Sequence, residues 1–318
     1  MKKIIVSTSP HIKNNESVPK IMWSVNLSLL PAAILAVYFF GLRAFWVMVV
    51  GIVTAVITEA IIQKLAKQEI TIKDGSAFLT GLLLSFNVSS AVPLWIPMVG
   101  SFVAIAIAKL AFGGLGCNIF NPALIGRAFL LAAWPVQMTT WLAPFSAKTA
   151  ATPLGIMKLE GATALLDNFG ECTSSLYKSL FLGNVGGCLG EVSAAALLIG
   201  AIYLIYKKYI NWQLPIYYIG TVALLSWIFG GKALFIGDPL FHVLSGGLIL
   251  GAFFMATDMV TCPITIKGQI VFAIGAGIIL TVIRIYGGYP EGCSYSILIM
   301  NAVTPLIDRY IKPKKYGA

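Results

Sequence analysis

The feature of this sequence that most constrains its fold is a succession of ten apolar runs with short polar connections between them. Crossing the hydrocarbon core of a bilayer takes a helix of about 20 apolar residues. Only 11% of the 318 residues are charged, against about 25% in soluble domains, so this chain could not cover its own surface in water. The sequence therefore predicts an all-α polytopic membrane protein with about ten transmembrane helices, several of them broken by Gly or Pro. The runs cover approximately residues 21–40, 44–63, 75–92, 94–112, 119–134, 191–206, 215–230, 239–257, 270–286 and 295–309.

The positions of the basic residues predict the orientation of these helices. If the N-terminus is cytoplasmic, fourteen Lys and Arg residues lie on the inner side and six on the outer side, while Lys109 and Arg127 fall within apolar runs. Inner loops of membrane proteins carry the excess of Lys and Arg, so both termini are predicted to be cytoplasmic. The net charge of +10 is scattered and forms no basic stripe, which argues against a nucleic-acid partner.

The two halves of the chain resemble each other. Each half has an acidic residue (Asp74 or Asp238), a Gly-containing apolar run, a basic residue, Gly-Gly, Gly-Cys, and then Asn ahead of Pro. Five spans per half is an odd number, so a duplication would place the second half inverted in the bilayer, an arrangement that commonly surrounds a midplane site. Chance similarity between Gly- and Leu-rich sequences is the alternative. The predicted organisation is an N-terminal segment, a first five-span repeat, an outer segment, a second five-span repeat and a C-terminal tail, at residues 1–20, 21–134, 135–190, 191–309 and 310–318.

The usual motifs for metals and nucleotides do not occur in this sequence. The five cysteines form no CxxC pair and there are only two histidines, so we expect no zinc, haem or cysteine-ligated iron–sulfur site on this chain. Neither GxGxxG nor GxxxxGK[ST] is present, so nicotinamide binding by this chain is not expected. We expect no catalytic side chain, and the cysteines are expected to act as small packing residues.

The long outer segment carries the most specific motif. Its residues 135–154 read PVQMTTWLAPFSAKTAATPL. This string, together with Asn121-Pro122-Ala123-Leu124, Gly187-Cys188-Leu189-Gly190-Glu191 and Met255-Ala256-Thr257-Asp258, resembles the D component of Rnf-type ion-translocating ferredoxin:NAD oxidoreductase complexes. The B component of the sodium-pumping NADH:quinone reductase is similar to the same family. The resemblance covers nearly the whole chain, although each string alone is weakly specific.

The resemblance implies a covalent cofactor. In that family a flavin transferase joins FMN through its phosphate to a threonine in a motif that ends in Ser/Thr-Gly/Ala-Ala-Thr, and the matching residue here is Thr152. This sequence has Ser146 where Asp is usual in the family and Ala150 where Gly is common. A second Gly-Ala-Thr string ends at Thr163 and is the fallback attachment site. Arg127 is a candidate to contact the flavin phosphate or a carboxylate from the other half.

The resemblance also implies partners and a location. The expected partners are a flavoprotein subunit, further membrane subunits that complete the complex, and the flavin transferase, while ferredoxin and NAD would bind to other subunits. The expected location is the inner or plasma membrane of a bacterial or archaeal cell. Whether a second, non-covalent flavin such as riboflavin binds, and whether Na⁺ or H⁺ is transported, is left open by the sequence.

Ionisable residues at membrane depth are the remaining candidates for function, because charge is costly there. Asp258, Glu191, Asp74 and Asp238 are candidates for an ion pathway, and the alternative for carboxylates at helix ends is capping. The leading hypothesis is thus a subunit that passes electrons through covalent FMN and couples this to ion transport. The alternative is a channel or secondary transporter for a small solute, which an inverted repeat would suit equally well.

Overall fold

A computed structural model describes residues 16–146, 148–161, 164–165, 173–191, 193–231 and 233–313 of the chain. Within these residues the secondary structure is helical, and the extended pairing is limited to one antiparallel bridge between Leu142 and Thr149. The predicted all-α class is therefore confirmed. The α-helices of the first half are α1 (Val18–Phe40), α2 (Leu42–Leu65), α3 (Ser76–Phe86), α4 (Trp95–Val103) and α5 (Pro122–Ala133). They are followed by α6 (Pro135–Met138), α7 (Pro153–Leu159), α8 (Thr173–Leu182), α9 (Ala194–Tyr206), α10 (Gln213–Phe229), α11 (Pro239–Leu244), α12 (Leu248–Leu250), α13 (Ile266–Tyr286) and α14 (Cys293–Tyr310).

Four helical segments of the described chain are long and apolar enough to cross a membrane. They are α1, α2, α13 and the continuous helix Trp95–Phe112 that begins with α4. Helices α3, α5, α9 and α10 are apolar but shorter. Membrane-spanning helices are thus present as predicted, while the count of ten spans and the inverted relation of the two halves stay predictions.

In both halves a helix departs from regular α-helical geometry, and in the second half it is also interrupted. Helix α4 continues as a π-helix over Ala104–Lys109 and a 3₁₀ turn, and it ends at Gly113, whose φ is +112°. In the second half α11 stops before Gly246, whose φ is +70°, and α12 then leads into a π-helix over Gly251–Met255. Glycine adopts these left-handed conformations without a Cβ clash, and π-turns occur frequently at functional sites. The predicted Gly-broken helices are therefore found in the structure.

Small residues bring the apolar helices into close contact. A Cβ atom on Gly81 of α3 would lie 2.7 Å from the carbonyl oxygen of Gly51 in α2. A Cβ atom on Gly200 of α9 would lie 2.1 Å from the carbonyl oxygen of Ser28 in α1. Lipid tails are as apolar as Leu, so helices in a bilayer gain little from apolar burial and associate instead through such close packing.

The connecting segment, residues 135–190, packs a small core of its own. Leu154, Leu176 and Leu180 are buried there together with Phe241 of α11. The Tyr177 hydroxyl donates a hydrogen bond to the Asp238 carboxylate, which ties α8 to the start of α11. Burial and this hydrogen bond raise the pKa of Tyr177 to about 12. The described parts of the segment therefore pack against the rest of the molecule and hold Thr152 in a defined place.

Candidate cofactor site

Thr152 lies at the start of a short helix in the connecting segment. It is the N-cap residue of α7, and its Oγ1 accepts a hydrogen bond from the backbone N–H of Gly155 at 3.1 Å. Thr is a favoured N-cap and Pro a favoured first helical residue, so the sequence Thr152-Pro153 begins the helix here. Only 5% of Thr152 is exposed to solvent. The side chain is therefore fixed in direction and is nearly covered.

A turn before α7 places the rest of the motif. Ala143 and Lys148 are joined by a backbone hydrogen bond of 3.0 Å, and the Ala150 N–H donates to the Trp141 carbonyl at 3.0 Å. At the tip of the turn, the Phe145 ring packs edge-on against Tyr38 of α1 at a centroid distance of 5.4 Å. The turn is thereby attached to the end of α1.

Thr152 opens onto a cavity with a volume of about 240 Å³. Pockets for small molecules commonly have about 300–1,000 Å³, so this cavity, which we call the Thr152 cavity, is of a size that encloses part of a cofactor. Its wall combines small residues of the motif, aromatic rings and charged groups. The lining residues include Trp141, Thr152, Tyr289, Tyr295, Arg127 and Glu291.

Arg127 of α5 supplies the positive charge of this cavity. Its Nη1 donates to Asn87 Oδ1 at 2.7 Å, and its Nη2 lies 2.5 Å from Glu291 Oε2. The side chains of Arg127 and Glu291 are 9% and 12% exposed, so the ion pair is largely shielded from water. Of the two partners expected for Arg127, a flavin phosphate and a carboxylate from the other half, the second is the one in contact.

Glu191 lies next to this ion pair. One oxygen each of Glu191 and Glu291 and the Cys188 sulfur all lie within 4.8 Å of one another. Glu191 Oε2 accepts a long hydrogen bond of 3.4 Å from the Cys188 N–H. The Cys188 thiol donates to the Asn87 carbonyl at 3.4 Å. Asn87 and Glu291 thus connect Arg127 to the start of the second half.

Lys158 ties α7 to the turn that carries Glu291. Its ammonium group donates to the carbonyls of Arg284, Gly287 and Tyr289 near the C-terminus of α13. A cation is favoured at this end of a helix, where the last carbonyls have no partners. Burial lowers the pKa of Lys158. This contact holds the wall formed by Tyr289 and Glu291 against the helix that starts at Thr152.

A second cavity, which we call the Asp258 cavity, has a volume of about 90 Å³. The first residues of α5 line it, whereas the second half of α5 lines the Thr152 cavity. Asp258 Oδ1 accepts from the Val260 N–H and Oδ2 from the Thr261 hydroxyl, both at 3.2 Å. Asn118 also lines this cavity, and its Oδ1 is buried without a hydrogen-bond partner in the described part of the chain.

Lys109 forms a buried ion pair in the wall of the Asp258 cavity. Its ammonium group lies 2.7 and 2.9 Å from the two oxygens of Glu59 and 2.6 Å from Ser76 Oγ. The side chains are only 2% and 1% exposed. The ammonium group has three protons, and three acceptors surround it, so its hydrogen bonding is satisfied.

The sequence comparisons identify the family. The sequence model of the NQR2, RnfD, RnfE family matches residues 5–317, which is almost the entire chain. This chain belongs to that family.

Curated members of the NQR2, RnfD, RnfE family align with this chain over its full length. It is similar to the D component of the proton-translocating ferredoxin:NAD(+) oxidoreductase complex of Clostridium ljungdahlii, with 57% identity covering 98% of this chain and 96% of the relative. The D component of the Na(+)-translocating ferredoxin:NAD(+) oxidoreductase complex of Acetobacterium woodii is 50% identical, covering 99% and 95%. The D component of the ion-translocating oxidoreductase complex of Salmonella arizonae is 36% identical, covering 98% of each chain.

The structure brings part of the predicted site of this family member together. Thr152 and Arg127 line one cavity, Glu191 lies behind it, and Asp258 lines the other cavity. Asp238 caps α11, where its Oδ1 accepts from the Phe241 N–H at 3.0 Å. Asp74 Oδ1 accepts from the Ser76 N–H at 2.8 Å and from its hydroxyl at 2.7 Å, and that hydroxyl lies 2.6 Å from the Lys109 ammonium group. Thr163 lies outside the described residues.

Sequence reasoning missed Glu291 and Asn87, the two partners of Arg127. Glu291 stands in the string Gly-Gly-Tyr-Pro-Glu-Gly-Cys of the second half, where the first half has the uncharged Leu115. An acidic residue in only one copy of the repeat was the available signal. No such signal marks Asn87, because its role depends on a contact 40 positions along the chain.

Proposed function

We propose that this chain is the membrane subunit of an ion-translocating ferredoxin:NAD oxidoreductase complex and that it passes electrons through a covalently attached flavin. The names of its relatives support the complex, and the full-length alignment supports the same component of it. Ferredoxin and NAD would bind to partner subunits, because this sequence has no nucleotide-binding motif.

The attachment point that we propose for FMN is Thr152, through a phosphoester to Oγ1. The observation that supports this is the position of Thr152 at a cavity whose other walls are aromatic (Trp141, Tyr289, Tyr295) and cationic (Arg127). Flat aromatic side chains pack well against a ring system. A guanidinium has five N–H donors, and Arg127 directs one to Asn87 and one to Glu291, so donors remain for a phosphate. When bound, FMN supplies the redox chemistry, and the protein positions it and sets its electrostatic surroundings.

The residues of this chain would each contribute a defined part. Thr152 holds the cofactor, and α7 holds Thr152 because Oγ1 can accept the Gly155 hydrogen bond with or without its own proton. Lys158 keeps the two walls of the cavity together. The Arg127–Glu291 ion pair, which is largely shielded from water, sets the electrostatic surroundings of the cavity.

The flavin transferase must reach Thr152 to attach the cofactor, but this side chain is nearly covered by the surrounding protein. Because only 5% of Thr152 is exposed, the residues that cover it must be displaced while the phosphoester forms. We infer that flavin transfer precedes the final packing of the connecting segment, or that the segment opens to admit the enzyme.

Ion transport is the second part of the proposal. Among the four carboxylate candidates we retain Asp258 and Glu191, since each lines a cavity, while Asp238 caps α11 and Asp74 is hydrogen-bonded to Ser76 and lines neither cavity. The relatives from Clostridium ljungdahlii and Acetobacterium woodii are named for H⁺ and for Na⁺ respectively. The transported ion is therefore a separate experimental question.

We further propose that the Asp258 cavity is the binding site of a second, non-covalent flavin such as riboflavin. The unpartnered Asn118 Oδ1 could accept a hydrogen bond from a ligand N–H or hydroxyl. At about 90 Å³ the cavity would have to widen to admit a flavin. Acid precipitation of the purified complex releases non-covalent flavin only, so flavin in the supernatant that diminishes in Asn118→Leu supports this site.

The competing function is a channel or secondary transporter for a small solute. The two cavities along α5 and the interrupted helices favour it, because transporters place such features at their binding sites. A transporter needs no covalent cofactor, so the presence or absence of flavin on the denatured chain distinguishes the two functions.

The test is flavin fluorescence of the denatured subunit in a gel, after expression with the flavin transferase and the partner subunits. We expect a fluorescent band for the unmodified sequence and for Thr163→Ala, and a dark band for Thr152→Ala. Fluorescence that persists in Thr152→Ala and disappears in Thr163→Ala would show that the flavin is attached to Thr163. A dark band for the unsubstituted protein would favour the transporter function.

A further inference from the structure

Two carboxylates lie within 4.8 Å of each other at the wall of the Thr152 cavity, and among the described residues only one of them has a charged partner in contact. Glu291 pairs with Arg127, as described above. Glu191 ends the 3₁₀ turn Leu189–Glu191, and its Oε1 is fully enclosed without a hydrogen-bond partner among the described residues. A carboxylate oxygen in such a position is costly unless a proton or another cation reaches it.

The backbone closes tightly around Glu191. A Cβ atom on Gly187 would lie 3.0 Å from Glu191 Oε2, and a Cβ atom on Gly247 would lie 3.1 Å from Oε1. Side chains at either glycine would therefore press on the carboxylate. The two glycines form a cradle that fits the carboxylate and leaves it facing Glu291.

Two cations lie near Glu191 and attract it, but neither forms an ion pair or hydrogen bond with it among the described residues. Arg127 contacts Glu291 and Asn87, and Arg284 of α13 directs its Nη1 and Nη2 to the carbonyls of His242 and Ser245. The remaining groups that interact electrostatically with this region are thiols and phenols, none of which is a cation. They are Cys188, Cys293, Tyr218, Tyr289 and Tyr295.

The pair is also adjacent to the proposed flavin. Thr152 and Glu291 line both the Thr152 cavity and a smaller cavity behind it, and Glu191 lines the smaller one. A charge on a cofactor in the Thr152 cavity would therefore act on the carboxylates across a region largely shielded from water, where electrostatic interactions are poorly screened.

We propose that Glu191 and Glu291 share one proton, which enters the pair when the neighbouring flavin gains an electron and leaves when the electron moves on. This inference rests on the proposed attachment of FMN at Thr152. The electron comes from the reduced donor subunit, which is oxidised, and the proton comes from a hydronium ion or buffer acid in the solvent by way of Glu291, whose side chain is 12% exposed; the proton returns to the solvent when the electron leaves. One negative and one positive charge enter together, so the net charge of the site is conserved and the electron enters at a lower electrostatic cost.

The test is redox-induced infrared difference spectroscopy of the purified complex with its covalent FMN, combined with flavin absorbance on the same sample. On reduction we expect the carbonyl-stretch band of a protonated carboxyl group to appear and to shift in D₂O. In Glu191→Gln the band should be lost, and the midpoint potential of the flavin should depend less steeply on pH than in the unmodified complex. Glu69→Gln removes an exposed carboxylate far from the cavity and should change neither observation.

Several results would overturn the inference while leaving the proposed function intact. The first is that the flavin absorbance bleaches on reduction but no carboxyl-stretch band appears in the infrared difference spectrum. The second is that this band is unchanged in Glu191→Gln. The third is that the midpoint potential of the flavin responds to Na⁺ at constant pH and no carboxyl-stretch band appears. If the purified complex shows no flavin absorbance, that result contradicts the proposed function itself, and with it the inference about the carboxylates. Should Glu191→Gln not assemble, Glu191→Asp keeps the acid, and an unshifted band in that variant would count against the pair.

Discussion

Thr152 shows how one oxygen atom serves both local structure and the proposed chemistry. Its Oγ1 caps α7 by accepting from Gly155, and the phosphoester that we propose would form at the same atom. The acceptor role survives esterification, because it uses a lone pair and not the hydroxyl proton. The threonine motif is therefore a helix start as well as a recognition sequence.

The capping role predicts a difference between two variants of the flavin-free subunit. Thr152→Ala removes the side-chain acceptor and should destabilise α7 by about 1 kcal/mol, which corresponds to about fivefold faster amide exchange in residues 155–159 if the helix opens locally. Thr152→Ser keeps the acceptor and should exchange like the unmodified protein. Hydrogen exchange followed by mass spectrometry checks this, and equal exchange in both variants would contradict the capping role.

The Lys109–Glu59 pair supports a second prediction for single residues. Removing one partner of a fully buried pair leaves an uncompensated charge and typically costs about 3–5 kcal/mol, whereas replacing both by apolar residues is often neutral. We therefore expect Lys109→Met or Glu59→Leu alone to lower the thermal stability of the purified complex markedly, and the double variant to recover most of it. A double variant that is less stable than both single ones would show that the charges themselves are required there.

Individual helices are predictable from the sequence where the apolar run is long and unbroken, as for α1 and α2. The prediction is poorer where one run holds two elements. Residues 239–257 read as one span, but the chain leaves the helix after Leu244 and resumes at Leu248, because Gly246 permits a left-handed conformation there. Apolar composition indicates burial in the membrane, but it does not indicate where a helix breaks.

The contact between α1 and α9 gives a prediction about helix packing. Gly200→Ala would place a methyl group 2.1 Å from the Ser28 carbonyl, so the helices must separate, at a cost of about 1–3 kcal/mol. Gly220→Ala in α10 is the matched control, because no atom lies within 4 Å of its Cβ position and Ala favours a helix. Thermal unfolding of the two purified variants should show a loss of stability for the first and none for the second. Equal stability would mean that α1 and α9 do not approach as closely as described.

At the level of the whole molecule, the sequence sufficed for the class, the family resemblance and the threonine motif, because each depends on composition or on short strings. It did not suffice for the contacts that assemble the site. Arg127 and Glu291 are 164 positions apart, and Lys109 and Glu59 are 50 apart. Such pairs depend on how the helices are arranged in space, and a single sequence carries no direct signal for that arrangement.

The orientation of the molecule is open to a direct test. The distribution of Lys and Arg predicts both termini inside and the connecting segment outside. Green fluorescent protein fused after Ala318 should therefore be fluorescent, and alkaline phosphatase fused there should be inactive. Within residues 148–161, fused alkaline phosphatase should be active and fused green fluorescent protein should be dark. Active alkaline phosphatase after Ala318 would reverse the topology and would place the Thr152 cavity on the cytoplasmic side.

The central claim, covalent FMN on Thr152, is tested most directly by the mass of its tryptic peptide. Trypsin cleaves after Lys148, Lys158 and Lys178, so Thr152 falls in residues 149–158 and Thr163 in residues 159–178. For protein made with its flavin transferase, we predict that the 149–158 peptide gains the mass of FMN less one water, that fragmentation places the gain on Thr152, and that the 159–178 peptide is unmodified. An unmodified 149–158 peptide from that same protein would contradict the account.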